Sequence, residues 1–296
     1  MAEPHAEPLV TVAMPVYNAG RDLRAAVLSV VNQTYVHWEM LIIDDGSSDG
    51  SLDSINDIRD ARIRVLRDGC NRGLAARLNE AIDLARGTYL ARMDQDDVSF
   101  PGRFARQVAS LRERPDLDLV AVRAMTISPS DELLGLFPRA LSHAQICSRP
   151  WRGFYLPHPT WMGRIEWFRR FRYRIPESYK SDDQELLLRS YRRSTFGCVD
   201  EVLFAYRVRG AIRLRASLRT RWALLRVQAA TFAASRQFGW VCLACAVCGL
   251  RVAKDAGTFL WQASGARFMR PRPSPESRPY AAQWEQIRRS ASPQAC

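Results

Sequence analysis

Three short apolar runs in the first hundred residues each end in a polar or acidic cluster, and this limits the folds open to the chain more than any other feature. Residues 10–16 lead into Tyr17 and Asn18, residues 40–43 into Asp44, Asp45, Gly46 and Ser47, and residues 89–93 into Asp94, Gln95, Asp96 and Asp97. Short apolar runs bounded by turn residues read as parallel strands buried on both faces. In an open α/β sheet, ligands bind beyond the carboxyl ends of the strands. All three clusters are therefore expected to open onto one crevice. Asp44, Asp45, Asp94 and Asp96 would concentrate negative charge there, which is costly unless a cation or polar ligand shares the site.

Helical stripes separate the runs. Leu23, Ala26, Val27, Val30 and Val31 follow one helical face. Leu74, Leu78, Ala81, Ile82 and Ala85 follow another, with Gly87 past its last turn. A short helix is expected over 51–58, strands over 63–66 and 117–124, and a helix over 103–111. A helix over 181–190 would open on Ser181, with Gln184 placed for a near capping box. A last strand is expected over 202–208. This alternation predicts an α/β fold with a mainly parallel sheet flanked by helices. The expected division is a loose tail over 1–8, the α/β domain over 9–210, a basic and apolar helical extension over 211–269, and a disordered tail over 270–296 rich in Pro, Ser and Arg.

The 47% apolar and 25% charged content of the 296 residues is ordinary, but a net charge of +12 is not. It points to an anionic partner: nucleic acid, a phospholipid surface or a phosphorylated substrate. Residues 204–227 hold seven arginines and no acid. The apolar run 238–250 that follows is shorter than the roughly 20 residues of a membrane span. Basic residues beside apolar helices fit a surface that rests on anionic lipid. They equally fit a helical pair packed on the main domain with a solvated basic face. The basic stretch lacks a nucleic-acid motif with interleaved aromatics, so no specific nucleic-acid partner is expected. No GxGxxG follows the first strand, which argues against a dinucleotide-dependent dehydrogenase. The seven cysteines are scattered, and residues 1–8 do not read as a signal peptide, so a reducing cytoplasm is expected. Cys242, Cys245 and Cys248 have metal-like spacing, but no fourth ligand follows. At i, i+3, i+6 they are expected on one side of a buried helix as small hydrophobes.

Asp94 and Asp96 form a DxD arrangement at a strand end. Carboxylates two apart in extended chain can share a side, and their hard oxygens suit Mg²⁺ or Mn²⁺. Turn acids that cap a following helix would give the same pattern. The Asp44-Asp45 cluster could accept hydrogen bonds from a base or ribose, while the DxD holds a metal on a diphosphate.

With these segments in view, the chain resembles family 2 glycosyltransferases of the GT-A fold. The resemblance rests on residues 12–18 (Val-Ala-Met-Pro-Val-Tyr-Asn), Asp44-Asp45-Gly46-Ser47, Asn71-Arg72-Gly73-Leu74 with Arg77-Leu78-Asn79, and residues 87–97 through Asp94-Gln95-Asp96-Asp97. His158-Pro159-Thr160 and Asp182-Asp183-Gln184-Glu185-Leu186 continue it, so that it covers about 9–209. It implies an inverting transferase that moves a sugar from a nucleotide-diphospho-sugar to an acceptor hydroxyl. The acceptor would be a saccharide or lipid-linked, in cell-surface polysaccharide or glycolipid synthesis. Position by position, Tyr17 and Asp44 or Asp45 would contact the nucleobase and ribose. Pro15, Asn18, Asn71 and Arg72 would add substrate contacts. Asp94 and Asp96 would bind Mn²⁺ or Mg²⁺ and the diphosphate side of the donor. Asp183 matches the family's general base, and Asp182 stands where Glu is usual. Arg207 matches the loop after the last strand and could close over the diphosphate, although the usual His and Ser-rich continuation is replaced by residues 209–213. His158 could approach the acceptor, or serve as a packing residue beside Pro159.

An inverting transfer needs a carboxylate to take the proton from the acceptor hydroxyl as its oxygen attacks the anomeric carbon, and the leaving diphosphate needs its charge stabilised. Acids in a first helical turn also gain about 0.3–1 kcal/mol from the helix dipole with no chemical role. With the cysteine reading above, such an enzyme would act in the cytoplasm, peripheral on the inner face of the membrane if the basic helices touch lipid. The competing reading is a non-catalytic basic protein on the same fold that binds a membrane surface or polyanion. Retention of all the expected acids argues against it.

Overall fold

The computed structural model describes residues 7–176, 181–208, 214–263 and 275–291. Residues 1–6 of the expected N-terminal tail, the 209–213 departure and residues 270–274 and 292–296 lie outside them.

The chain runs β1 (Val10–Val16), α1 (Leu23–Val31), β2 (Trp38–Asp44), β3 (Ile63–Arg67), α2 (Leu74–Leu84), β4 (Tyr89–Arg92), β5 (Val98–Ser99) and α3 (Arg103–Glu113). There follow β6 (Leu119–Ile127), β7 (Leu133–Leu136), α4 (His143–Ile146), β8 (Met162–Arg164), α5 (Ile165–Arg170), α6 (Asp182–Ser190) and β9 (Phe196–Arg207). Three helices complete it: α7 (Leu214–Ala234), α8 (Phe238–Ala263) and α9 (Tyr280–Ala291). The expected helix at 51–58 is a 3₁₀ turn over Ser51–Ile55.

Nine strands form one sheet in the order β3-β2-β1-β4-β8-β6-β9-β5, with β7 on β6. β1 pairs in parallel with β2 and β4, β2 with β3, and β6 with β9. The short β8 runs antiparallel between β4 and β6. β5 on β9 and β7 on β6 are also antiparallel, so the sheet is mixed, with its longer pairings parallel as expected.

Alternate residues of the strands face two cores. Val10, Val12, Met14 and Val16 of β1, with Met40 and Ile42 of β2, pack with α1 and α3. Ala13, Leu41 and Ile43 pack on the other face with α2, α5 and α6. Burial on both sides explains why these strands read as unbroken apolar runs. Gly87 does not cap α2, which ends at Leu84. It lets the chain pass the start of β1: a Cβ there would stand 2.6 Å from Thr11 N and 2.7 Å from the Leu9 carbonyl oxygen.

Two further expectations are corrected. The expected 270–296 tail contains α9, whose Trp284, Tyr280 and Ile287 pack on the α1/α3 side of the sheet. The Pro, Ser and Arg around it hide this short apolar stripe. Cys242 and Cys245 are exposed on α8 and Cys248 is half-buried, so they do not line a buried helix face. Among the described residues no group of His, Cys, Asp or Glu forms a three-ligand metal cluster. No described helix is long and apolar enough to cross a membrane.

Candidate active site

The loops after β1, β2 and β4 meet because their strands are adjacent and parallel, with Val16 opposite Asp44 and Ala13 opposite Arg92. Local sequence then laces them together. The Tyr17 backbone N–H donates to Gln95 Oε1 at 2.6 Å, and Gln95 Nε2 donates back to the Tyr17 carbonyl at 3.0 Å. Asn18 takes a positive φ of 48°, which Asn tolerates. Its N–H donates to Ser47 Oγ at 3.0 Å, and its Oδ1 accepts from Ser48 N at 2.9 Å. Asp44 Oδ1 accepts from Ser47 N at 3.0 Å, an Asx-turn that shapes the second loop.

Asp45 reaches in the other direction. Its Oδ1 accepts from Arg72 N at 2.7 Å and Arg77 Nε at 2.9 Å, and its Oδ2 from Gly73 N at 3.0 Å. Arg77 is buried on α2 and also binds Asp68 at 2.6 Å and Glu80 at 2.8 Å. The hydrogen bonds from Arg77 hold the Asp68 carboxyl well below the ordinary carboxylate range. This hub fixes the 68–74 loop against the acidic loops.

The third cluster stands on two buried arginines. Arg92 Nη1 lies 2.5 Å from Asp94 Oδ1. Arg103 Nη2 donates to the Arg92 carbonyl at 2.8 Å and supports it from below. Asp97 is buried. Its Oδ1 accepts from Arg207 N at 2.7 Å, while its Oδ2 has no partner. Burial, then the charges of Asp94 and Asp96, push its carboxyl well above the usual range. The Arg207 side chain donates to the Asp96 carbonyl at 2.8 Å and to Asp131 Oδ1 at 2.6 Å. Trp284 Nε1 of α9 donates to the Asp131 carbonyl at 2.8 Å, so α9 braces the residue that braces Arg207.

These loops line a crevice of about 680 Å³ that includes Pro15, Tyr17, Asp45, Asn71, Asp94, Asp96, Asp182 and Arg207. A second crevice of about 360 Å³ adjoins it, lined by Arg92, Phe154, His158, Asp182, Asp183 and Gln184 among others. Leu74, Asp94, Asp182 and Tyr206 line both.

The start of α6 differs from the expected capping box. Ser181 makes no side-chain cap bond there. Gln184 Oε1 instead accepts from Phe154 N at 2.8 Å, and its Nε2 donates to Asp183 Oδ2 at 3.0 Å. The reciprocal capping box forms at α4, between Ser142 and Gln145. Burial raises the Asp183 carboxyl, with the Gln184 hydrogen bond opposing it. His158 Nε2 lies 2.6 Å from Tyr173 Oη, and its ring packs edge-on against Trp161. Burial, and then Arg92, hold its pKa well below 6.5, which keeps it neutral.

Of the residues singled out in the sequence, Asp44, Asn18 and Arg72 line neither crevice. Asp44 shapes the turn of its own loop, Asn18 clips the first two loops together, and Arg72 pairs with Asp68 at 2.9 Å. Sequence reasoning missed Arg92, Gln95, Asp97, Gln184 and Tyr206 as parts of the site. Arg92 carried a legible signal, since an arginine inside a buried strand needs a partner.

Asp94 and Asp96 suit a divalent ion. They could offer two hard oxygen ligands, and the upward push that Asp94 and Asp96 add to the burial of Asp97 reflects the negative charge a cation there would offset. Two protein carboxylates, with the remaining positions left to water and substrate phosphate, is a usual arrangement for Mg²⁺.

Comparison with known proteins agrees with this geometry. The sequence model described as Glycosyl transferase family 2 matches residues 11–172. The chain is 38% identical over 116 residues to the putative glycosyltransferase EpsE of Bacillus subtilis, which covers 38% of this chain and 42% of that protein. It is 35% identical over 103 residues to the Escherichia coli UDP-Glc:alpha-D-GlcNAc-diphosphoundecaprenol beta-1,3-glucosyltransferase WfgD, covering 35% of this chain and 41% of that protein. The chain thus spans about two fifths of the length of these curated relatives. Among solved structures, S. aureus TarS 1-349 in complex with UDP superposes with a TM-score of 0.61 at 17% identity, over 96% of this chain and 81% of that one. The mannosyltransferase PcManGT from Pyrobaculum calidifontis in complex with GDP-Man and Mn²⁺ gives 0.58 at 15% identity, over 97% and 87%. At such identities the likeness shows the fold.

Proposed function

Given that the chain belongs to glycosyl transferase family 2 and has the GT-A fold, we propose that it is an inverting transferase that moves a sugar from a nucleotide-diphospho-sugar to the hydroxyl of a saccharide or lipid-linked acceptor. The pathway would be cell-surface polysaccharide or glycolipid synthesis, a reading supported by the names of its relatives. The observation that carries the proposal is the pair of adjoining crevices. Asp94 and Asp182 line both, and a raised carboxyl at Asp183 stands on the far side.

In this reading the larger crevice takes the donor. Tyr17 and Asp45 face the base and ribose, with Pro15 and Asn71 beside them. Arg207 faces the diphosphate, its backbone fixed by Asp97 and its guanidinium by Asp131. Asp94 and Asp96 would hold Mn²⁺ or Mg²⁺, which when bound supplies Lewis-acid stabilisation of the leaving diphosphate. The smaller crevice takes the acceptor. Asp183 accepts the hydroxyl proton as the oxygen attacks the anomeric carbon from the side opposite the diphosphate. Burial makes Asp183 a stronger base than a solvated Asp, and the Gln184 amide fixes its Oδ2. Asp182, at the junction, is the second candidate for that proton. The six described cysteines are all free thiols, which supports a cytoplasmic setting.

The nucleotide is the first point to test. UDP-, GDP-, dTDP- and CMP-sugars are titrated with and without Mn²⁺ against the wild type and the Asp94→Ala/Asp96→Ala variant, with thermal stability as readout. Ligand binding raises stability as RT ln(1 + [L]/Kd). One nucleotide is expected to stabilise the wild type in a metal-dependent way and to lose that effect in the variant. No response to any donor by the folded wild type would overturn the proposal.

A further inference from the structure

The α7–α8 hairpin takes no part in the chemistry proposed above. Its helices are clamped to each other by Asp255, which accepts from Ser217 Oγ and from Arg221 Nε, the latter at 3.2 Å. They are clamped to the domain by Gln228 Nε2 on the Pro150 carbonyl at 2.8 Å and Arg251 Nη2 on the Arg152 carbonyl at 2.7 Å. These anchors use one side of each helix, and the other sides face solvent with an unusual composition.

On α8 the outward residues are apolar except for Lys254. Phe238 is 64% exposed, Leu250 73% and Leu260 67%, with Leu243 beside them and small residues between. On α7 the outward stripe is Arg215, Arg219, Trp222 and Arg226, with Trp222 61% exposed. Residues 214–263 hold seven basic residues and one acid, Asp255, which is buried.

We propose that this face docks flat on the surface of an anionic lipid bilayer. An exposed apolar stripe of this extent marks an interaction surface. A helix lying in the interface needs an apolar face, flanking cations and interfacial tryptophans, all of which the hairpin presents. Arg251, Lys254 and Asp255 interrupt α8, which suits lying on the bilayer rather than crossing it. A second copy of the chain is a poorer occupant. It would cover the apolar stripe but oppose two arginine stripes, with no exposed acid on the hairpin to pair them.

Docking would also set the direction of the acceptor crevice. Residues 150–152, which anchor both helices, run directly into the Phe154–Pro159 stretch of that crevice. Ser181, one residue before Asp182, donates to the Thr220 carbonyl of α7 at 3.5 Å. The proposal deepens the reading of the acceptor as lipid-linked, and rests on that reading only for this last point.

Flotation of the full chain with phosphatidylglycerol vesicles and with pure phosphatidylcholine vesicles tests it. Binding is expected to the former, lost in high salt. Leu243→Asp/Leu250→Asp should abolish it, and Arg215→Gln/Arg226→Gln should weaken it roughly thirtyfold. Both variants should keep the wild-type Tm and nucleotide response, because these side chains face solvent. No flotation by the wild type, or equal flotation by Leu243→Asp/Leu250→Asp, would overturn the proposal. So would a solution dimer that Leu250→Asp dissociates in the absence of vesicle binding. Flotation without any nucleotide-sugar response would leave the docking face standing and overturn the transferase reading instead.

Discussion

Replacing Arg77 by Met tests whether the hub beneath Asp45 holds the donor crevice open. Arg77 is almost wholly buried and bridges Asp45, Asp68 and Glu80. Removing one member of a buried ion pair costs about 3–5 kcal/mol, because the other charge is left uncompensated. Asp45 keeps the N–H groups of Arg72 and Gly73, and Met fills most of the vacated volume, which places the cost near 3 kcal/mol. For a domain of this size that lowers Tm by roughly 6–12 °C. The loop carrying Asn71, Gly73 and Leu74 loses its tether at the same time, so nucleotide affinity falls with stability. Thermal unfolding and calorimetric titration with the preferred nucleotide measure the two effects. Arg77→Lys should recover less than half of either, since an ammonium cannot reproduce the guanidinium fork. A Tm drop under about 2 °C with unchanged nucleotide affinity would refute the hub as the tether of the loop.

Asp183→Asn should lower kcat by about 10²–10⁴ while nucleotide affinity stays constant. Because burial raises the Asp183 carboxyl and the base must be ionised, wild-type transfer should fall with decreasing pH at values above the range of a solvated Asp; a pH-rate profile flat through the acid range would count against Asp183. Asp131→Ala removes the Arg207 guanidinium's closest carboxylate partner, leaving it the Asp96 and Ser128 carbonyls, and should raise the donor KM roughly tenfold, with a smaller change in kcat, while Trp284→Phe gives a weaker shift in the same direction. Gly87→Ala drives a methyl group into the backbone of β1 and should cost about 3 kcal/mol or more by denaturant unfolding, with no effect on chemistry in the protein that remains folded.

The strands and the three converging loops were legible because their signal is local. Each is an apolar run with a turn cluster at its end, and parallel pairing follows from the intervening helices. What was not legible depended on partners distant in sequence. Asp44 and Asp45 are equivalent by pattern, and only Arg77, 32 residues after Asp45, separates the turn-former from the crevice residue. Ser181 and Gln184 have the spacing of a capping box, but the Phe154 backbone, 30 residues earlier, takes the Gln184 side chain. Cys242 and Cys245 follow helical spacing on a face that nothing in the described structure covers. Tyr280, Trp284 and Ile287 are spaced as a helical stripe, yet the composition around them outweighed three residues of pattern. The short β8, inserted antiparallel between β4 and β6, has too few residues to announce itself.

The bond from Trp284 to Asp131 spans 153 residues, and this sets a schedule for synthesis on the ribosome. At about 5–20 residues per second, Trp284 is added roughly 8–30 s after Asp131. The aspartates of the β4 loop are made first, Arg207 arrives in the interval, and the brace on its Asp131 partner comes last. A nascent chain halted before α9 would carry every acid of the crevice with its arginine incompletely held. Nucleotide should therefore bind the released chain more tightly than a ribosome-stalled one that ends short of Trp284.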